Sequence, residues 1–362
     1  MLHEIALTFV KGIGDVTIRS LVSYCGSAEG VFKTKQSLLE KIPGIGPKTA
    51  QSIVKHAVFE RAEQELAFID KYKIEPLFYT DKNYPKRLKN CADSPALLYF
   101  KGKADLNNQK IIAIVGTRNA TNYGKAFCEK LIDGLKDHNA LIVSGLAYGI
   151  DVASHKFAVT MQQTTVGVLG HGLDRIYPAL HRSVAESMLA NGGLLTEFPS
   201  QTNPDRQNFP KRNRIIAGMA DAIIVVEAAK KGGALITAEI ANSYNKDVFA
   251  LPGRLDDEFS EGCNFLIKTN RANLITRPAD VEYIMGWELN IKSPKKQEPT
   301  LFTDLSKEEL EIVKIIKAEA SIAIDDLQLR LNMAQSKLAM YLLNLEMQSI
   351  IIALPGRVYR LN

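Results

Sequence analysis

Apolar, β-branched runs recur between residues 110 and 287, and this alternation constrains the fold more than any other feature of the chain. The runs are IIAIVG from Ile111, ALIVSG from Ala140, TTVGVLG from Thr164, GLLTE from Gly193, AIIVVE from Ala222, VFALPG from Val248 and NLIT from Asn273. Amphipathic segments separate most of them. Such alternation is typical of a parallel sheet covered by helices on both faces. The pattern predicts an α/β fold with a doubly wound, Rossmann-like sheet, which binds ligands beyond the carboxyl ends of its strands.

The rest of the chain divides around this segment. A chain of 362 residues is too long for one ordinary domain. We expect a helical domain at 1–75, the Rossmann-like domain at 76–287, a polar linker at 288–303 and a small domain at 304–362. The small domain has three helical patterns and then two short strands around a Pro-Gly turn, which is the winged-helix pattern. The polar, turn-rich stretch at 79–95 is expected to form an extended edge or a loop.

The helical segment contains two similar glycine turns, VKGIGDVT and IPGIGPKTA. Each has the form apolar-x-Gly-x-Gly, followed by a helical stretch. Glycine lets the backbone turn tightly, and the helix that follows presents free N–H groups. Both turns resemble the helix-hairpin-helix motif, which binds DNA phosphates without reading sequence. A plain helix connector in a small bundle is the alternative.

Composition narrows the class of protein. The formal net charge of +5 permits a nucleic-acid partner without proving one. The four cysteines and six histidines lack the spacing of a metal or redox site, and GxSxG is absent, so we expect no metal, no catalytic constellation and no enzyme. Neither a signal peptide nor a run of about 20 apolar residues is present, so we expect a cytoplasmic protein without a membrane partner.

Glycines and cations follow several of the predicted strands. Glycine-rich turns that lead into helices present backbone donors to phosphates, and several turns along one sheet edge suit an extended polyanion. The first turn is not GxGxxG, and no acid follows the second strand to hold a ribose hydroxyl, so we expect no dinucleotide cofactor. The candidate binding residues are Gly116, Thr117, Arg118, Ser144, Gly145, Lys211, Arg212, Asn213, Arg214, Lys231, Gly232 and Gly233.

Each of these basic residues has a structural alternative. An arginine at the start of a helix can pair with an acid at a neighbouring strand end, such as Glu197 or Glu227. Asp151 is expected to fix its own turn or to cap a helix rather than to act as a general base.

Seven stretches together resemble one family, DNA-processing protein A, also called Smf. They are VGTRNATNYG, SGLAYGIDVASH, VLGHGLDRIYP, LLTEFP, FPKRNRIIAG, VVEAAKKGGALITA and FALPG, within residues 75–285. The resemblance implies an extended Rossmann domain that binds single-stranded DNA as a homodimer. It also implies a role in natural transformation (competence) as a recombination mediator that protects incoming strands and loads RecA recombinase. The DNA-contacting positions of the family map onto Arg118 and the block from Lys211 to Arg214, and charge reversal at Arg118 or Arg212 is expected to abolish binding without unfolding.

Two other functions are left open. KKGGALITAE resembles a turn of the lysine-decarboxylase-like phosphoribohydrolases, in which a glutamate at the place of Glu239 helps to cleave an N-glycosidic bond, although the second glycine of that turn is missing here. A nucleotide-binding sensor with a DNA-reading winged helix is the other. The third helix of the winged-helix pattern carries Lys337 and Glu346 but few other charges, so we expect it to add little DNA affinity.

Overall fold

The computed structural model describes residues 1–287, 305–319, 321–348, 350–354 and 357–361. The chain forms two compact units, Met1–Leu289 and Asn290–Asn362. The predicted linker at 288–303 lies outside the described residues. No helix in the described ranges is both long enough and apolar enough to cross a bilayer.

A nine-stranded sheet, largely parallel as predicted, is the centre of the first unit. Its strands are β1 (Glu75–Phe78), β2 (Leu97–Gly102), β3 (Ile111–Val115), β4 (Leu141–Ser144), β5 (Thr165–Val168), β6 (Gly193–Thr196), β7 (Ala222–Val225), β8 (Asp247–Ala250) and β9 (Asn273–Leu274). Their order is β1-β2-β6-β5-β4-β3-β7-β8-β9. All seven apolar runs form strands, and these are parallel to one another from β6 to β9.

Helices cover both faces of this sheet. They are α7 (Lys86–Lys89), α8 (Asn122–Gly134), α9 (Ile150–Thr160), α10 (Arg182–Met188), α11 (Asn208–Met219), α12 (Gly233–Ser243), α13 (Glu261–Lys268) and α14 (Pro278–Met285). Successive residues of β3 belong to different cores: Ala113 packs with α11 and α12, whereas Ile112 and Ile114 pack with α8 and α9. Both faces of each strand are therefore buried, which is why the strands are continuous apolar runs rather than alternating ones.

The direction of winding reverses at β3. From β3 the chain proceeds through β4 and β5 to β6 on one side, and β7 then returns to the other side of β3. The loops after β3 and β7 leave the sheet in opposite directions, so a crevice opens between their carboxyl ends. The fold alone thus marks this edge as a place for a ligand.

The N-terminal helices pack against the antiparallel edge of the sheet. They are α1 (Leu2–Phe9), α2 (Asp15–Cys25), α3 (Ala28–Lys33), α4 (Gln36–Leu39), α5 (Pro47–Val54) and α6 (Phe59–Tyr72). The two glycine turns precede α2 and α5, and Gly12 and Gly44 have φ angles of +85° and +83°, which side chains disfavour. The helices share one core with Leu97 and Tyr99 of β2.

The stretch between the helices and β3 contains more regular structure than its polar composition indicates. Strand β2 pairs antiparallel with both β1 and β6 and so extends the parallel sheet by two strands. Between β1 and β2, Tyr84 is buried and donates a hydrogen bond to the Pro95 carbonyl at 2.6 Å. A few buried anchors of this kind fix a segment whose other residues are polar.

The second unit contains the predicted helices and hairpin at its described residues. These are α15 (Lys307–Glu319), α16 (Ile324–Leu331) and α17 (Gln335–Met347), with β10 (Ile322–Ala323), β11 (Ile351–Leu354) and β12 (Val358–Leu361). The strands form a separate sheet in the order β10-β12-β11. Ile312, Leu327, Leu338 and Leu342 belong to its small apolar core.

Candidate nucleic-acid interface

A cleft of about 720 Å³ lies beyond the carboxyl ends of β3 and β7. We call it the strand-end cleft. Its described lining includes four cations, Arg118, Arg206, Arg212 and Lys231, but a single carboxylate, Asp151. Gly116, Thr117, Asn213, Gly232 and Gly233 also line it. The glycine turns and the cations that the sequence analysis singled out therefore meet, for the most part, around one cavity.

Arg118 lies in the loop after β3, which we define as residues 117–121 and call the Arg118 loop. Its side chain is exposed at the cleft. The backbone beneath it is crowded, because a Cβ at Gly116 would collide with Ile150, and a Cβ at Gly149 would collide with the Thr117 and Arg118 main chain. Glycine at these two positions lets the loop approach the start of α9 closely.

Arg212 forms a buried wall of the cleft. It is 5% exposed, and its guanidinium donates a hydrogen bond to the Val168 carbonyl at the end of β5. Both Arg212 and the Asp151 carboxylate lie over Gly145, where an added Cβ would strike them. Burial raises the pKa of Asp151, and the Arg212 guanidinium opposes that rise.

This burial corrects one expectation from the sequence. Reversing the charge of Arg212 would enclose a second carboxylate beside Asp151, so it would destabilise the fold rather than remove a surface contact.

Ser144 and Gly145 lie below Arg212 and Asp151. Ser144 is fully buried and donates a hydrogen bond to the Ile114 carbonyl at 2.5 Å. These two residues form the floor of the site and do not line the cleft.

Arg214 points away from the cleft. It forms an ion pair with Glu197, lies 3.3 Å from the Asp15 carboxylate of α2 and donates to the Asp93 carbonyl. This is the alternative in which a helix-start arginine pairs with Glu197. Arg214 therefore joins the N-terminal helices to the central sheet, whereas Lys211, on the same helix, is exposed.

The loop before α12 lines the cleft on the side opposite the Arg118 loop. Lys231 is exposed, and Gly232 is the N-cap of α12, where no side chain caps the helix. Glu239 is on the same helix, where it is exposed and lies 3.5 Å from Arg271. It is not among the residues that line the cleft. The geometry thus gives no support to a glutamate-dependent hydrolase at this turn.

Arg206, which was not predicted from the sequence, is an exposed cation in the loop before α11 that also lines the cleft. A basic residue two positions before a cation-rich helix start was the available signal. The same region holds an aromatic pair, because the rings of Tyr177 and Phe209 are 6.0 Å apart, and the Arg118 guanidinium lies 5.9 Å from the Phe209 ring. The cleft therefore combines cations with aromatic surface.

Known proteins that are similar to this chain identify its family. Residues 75–285 match the family described as DNA recombination-mediator protein A. Protein Smf of Synechocystis sp. is 36% identical over 272 residues, which are 73% of this chain and 68% of that protein. The chain belongs to the DNA recombination-mediator protein A family. The family prediction is thus confirmed, and so is the prediction that the chain is not an enzyme, because the family is described as a recombination mediator.

Two solved structures of the family are similar to this chain. The X-ray structure of DNA processing protein A from Streptococcus pneumoniae has 32% identity and a TM-score of 0.67, over 78% of this chain and 97% of that one. The Helicobacter pylori protein, described for its single-stranded DNA binding mode, has 30% identity and a TM-score of 0.54, over 59% and 95%. Residues 4–58 match a SAM-like helix-hairpin-helix tandem, which confirms the motif predicted from the two glycine turns.

The ion pair between Arg214 and Glu197 predicts how the stability of the protein depends on pH. Burial raises the pKa of Glu197 from 4.5 to about 7, although Arg214 opposes this. Because the folded-state pKa is raised, the stability that this group contributes at low pH is lost as the pH rises from about 4.5 through 7. Glu197→Gln cannot titrate, so we expect the wild type to lose more thermal stability than this variant between pH 4.5 and pH 8.

Melting temperatures across this pH range test the prediction. The exposed Glu258→Gln is the matched control, and its pH profile should parallel that of the wild type. If the Glu197→Gln and wild-type profiles ran parallel as well, Glu197 would not be the group responsible.

Proposed function

We propose that this protein binds single-stranded DNA in the strand-end cleft and acts as a recombination mediator. The observation that carries the proposal is the charge asymmetry of the cleft. Among its described lining residues are four cations and one carboxylate, and that carboxylate is buried beside Arg212. An anionic chain entering the cleft would meet exposed positive charge and almost no exposed negative charge. The similar H. pylori protein is described as binding single-stranded DNA, which supports the same class of ligand here.

The candidate residues take different parts in this proposal. Exposed Arg118 and Lys231 lie on opposite walls of the cleft and are proposed to contact phosphates, with Arg206 and exposed Lys211 extending the basic surface. Gly116, Thr117, Asn213, Gly232 and Gly233 would contribute close backbone approach and hydrogen bonds. Ser144, Gly145, Arg212 and Arg214 are proposed to support the site from behind rather than to contact DNA.

A single strand suits the cleft better than a duplex. Single-strand sites combine a basic groove with aromatic surfaces on which bases stack, and stacking is largely independent of sequence. Tyr177 and Phe209 offer such a surface next to Arg118. Phosphates would thus be held by the cations and bases by the aromatic pair.

The cellular role is proposed from family membership. As a homodimer in the cytoplasm, the protein would protect single strands that enter during natural transformation and load RecA recombinase on them.

The proposal includes an extended Rossmann-like domain at 76–287, a helix-hairpin-helix domain at 1–75, a linker at 288–303 and a winged-helix domain at 304–362. We assign the winged helix to protein contact, because exposed Met340, Leu343 and Met347 follow one face of α17 at helical spacing.

Binding should be strongly salt-dependent and should require Arg118. We expect the affinity for oligothymidylate to fall with salt with a log–log slope of roughly −0.7 per neutralised phosphate. Arg118→Gln should weaken binding by about tenfold or more and make the slope less steep by about 0.7. Fluorescence anisotropy across salt concentrations measures both. The control is Lys130→Gln, an exposed cation on α8 outside the cleft lining; equal affinity of Arg118→Gln and this control would refute the proposed site.

Loading of RecA should depend on the same cleft. On single strands coated with single-strand-binding protein, the wild type should speed RecA filament assembly, measured by the associated ATP hydrolysis. Arg118→Gln should lose most of this stimulation while Lys130→Gln keeps it. A wild-type protein that binds single strands but never speeds assembly would leave the binding proposal standing and remove the mediator step.

The second unit should contribute little to DNA affinity. Lys337 is the one cation of α17, so Lys337→Glu tests the helix that would enter a major groove. We expect single-strand and duplex affinities of Lys337→Glu to stay within about twofold of the wild type. A single solvent-exposed lysine outside the cleft should contribute little to the free energy of DNA binding. A loss of duplex affinity as large as that of Arg118→Gln for single strands would assign DNA binding to this unit.

A further inference from the structure

One residue, Glu227, holds both ends of the Arg118 loop. Its main-chain carbonyl accepts a hydrogen bond from Thr117 N at 2.7 Å. Its carboxylate accepts a second from Thr121 N at 2.9 Å and a third from Thr121 Oγ1. Glu227 is 3% exposed and follows β7, whereas the loop follows β3, so these bonds tie together the two strand ends at which the winding reverses.

The Glu227 carboxylate also lies at the N-terminus of α8. Thr121 is the N-cap of this helix, and a Cβ at Gly124 in its first turn would collide with the carboxylate. A helix N-terminus after the first strand of such a sheet carries partial positive charge and is a common phosphate site. In this protein a carboxylate of the chain occupies that place. A DNA phosphate must therefore be held by side chains at the rim, of which Arg118 is the nearest in sequence.

Further bonds fix the middle of the loop. Ile150 N donates to the Thr117 carbonyl at 3.1 Å, and Asn119 N lies 3.2 Å from Thr117 Oγ1. The main chain on both sides of Arg118 is thus held, while the Arg118 side chain is exposed. Among these described contacts, only the Glu227 carboxylate is a side chain that holds the Thr121 end of the loop.

We propose that Glu227 is a positioning residue for single-strand binding, which fixes the Arg118 loop so that the guanidinium faces the DNA backbone. This inference rests on the proposed function. It assigns a role in binding an anion to a buried acid that itself touches no DNA.

The sign of the effect distinguishes positioning from simple electrostatics. A carboxylate near a phosphate repels it, so removing the charge of Glu227 should tighten DNA binding if only distance and charge mattered. A positioning role predicts the opposite. In Glu227→Gln one amide oxygen replaces the two carboxylate oxygens that accept from Thr121. The loop is then held less firmly, Arg118 leaves its place, and binding weakens although a negative charge has been removed.

The experiment compares four variants of the full chain with the wild type in an oligothymidylate titration across salt. They are Glu227→Gln, Arg118→Gln, the double variant and Glu258→Gln, an exposed acid that serves as the charge-matched control. We expect Glu227→Gln to weaken binding several-fold and to make the salt slope about 0.7 less steep, as loss of one phosphate contact would. The double variant should bind no more weakly than Arg118→Gln alone, because both changes remove the same contact. Glu258→Gln should bind as tightly as the wild type or more tightly.

Each result has a separate meaning. If Glu227→Gln binds as tightly as the wild type while Arg118→Gln is weak, or if the two losses add, the positioning role is overturned and the proposed function stands. If Arg118→Gln binds like the wild type, the proposed function itself fails. Should Glu227→Gln melt far below the wild type, Thr121→Val and Thr121→Ser replace it. The inference is supported if only the valine variant binds more weakly than the wild type. It is overturned if both variants bind with the wild-type affinity.

Discussion

The reversal of winding at β3 is the constraint on which the site depends. Because β4 and β7 flank β3 on opposite sides, the loops after β3 and β7 diverge and leave a crevice that no strand fills. The helices that return after these strands begin at the crevice, so glycine turns and helix starts meet there without being close in sequence. Basic side chains at these starts then share one cavity, which is what an extended anionic chain requires.

Helix geometry explains why neighbouring basic residues serve different purposes. Successive residues of a helix point about 100° apart, so the four-residue block from Lys211 to Arg214 faces four directions. Asn213 lines the cleft, Arg212 is buried against the end of β5, Arg214 reaches the N-terminal helices and Lys211 is exposed. A cluster that looks uniform in the sequence thus stabilises the fold at two positions and offers polar groups to a ligand at the others.

The sequence predicted the sheet better than it predicted the site. All seven strands and the edge at which cations meet follow from apolar runs and from the rule that parallel strands end on one side. Strands β1 and β2 were not predicted as such, because their pairing depends on a few buried anchors, such as Tyr84, within polar sequence. The separate fates of Arg212 and Arg214 depend on partners far along the chain, Asp151, Glu197 and Asp15, and no local pattern indicates such pairs. Arg206 was missed because a single basic residue in a loop carries no periodic signal.

The charge that matters for binding is local and depends on where the acids are. The chain has 45 basic and 40 acidic residues, a balance too even to attract DNA by net charge. The two acids near the cleft are not exposed to a ligand. Asp151 is buried against Arg212, and the Glu227 carboxylate accepts hydrogen bonds from Thr121 at the start of α8. Each carboxylate is offset by a guanidinium or by helix N–H groups, so its field is largely cancelled at the surface. Exposed Arg118, Arg206 and Lys231 then act almost unopposed, and a nearly neutral protein presents a positive cleft.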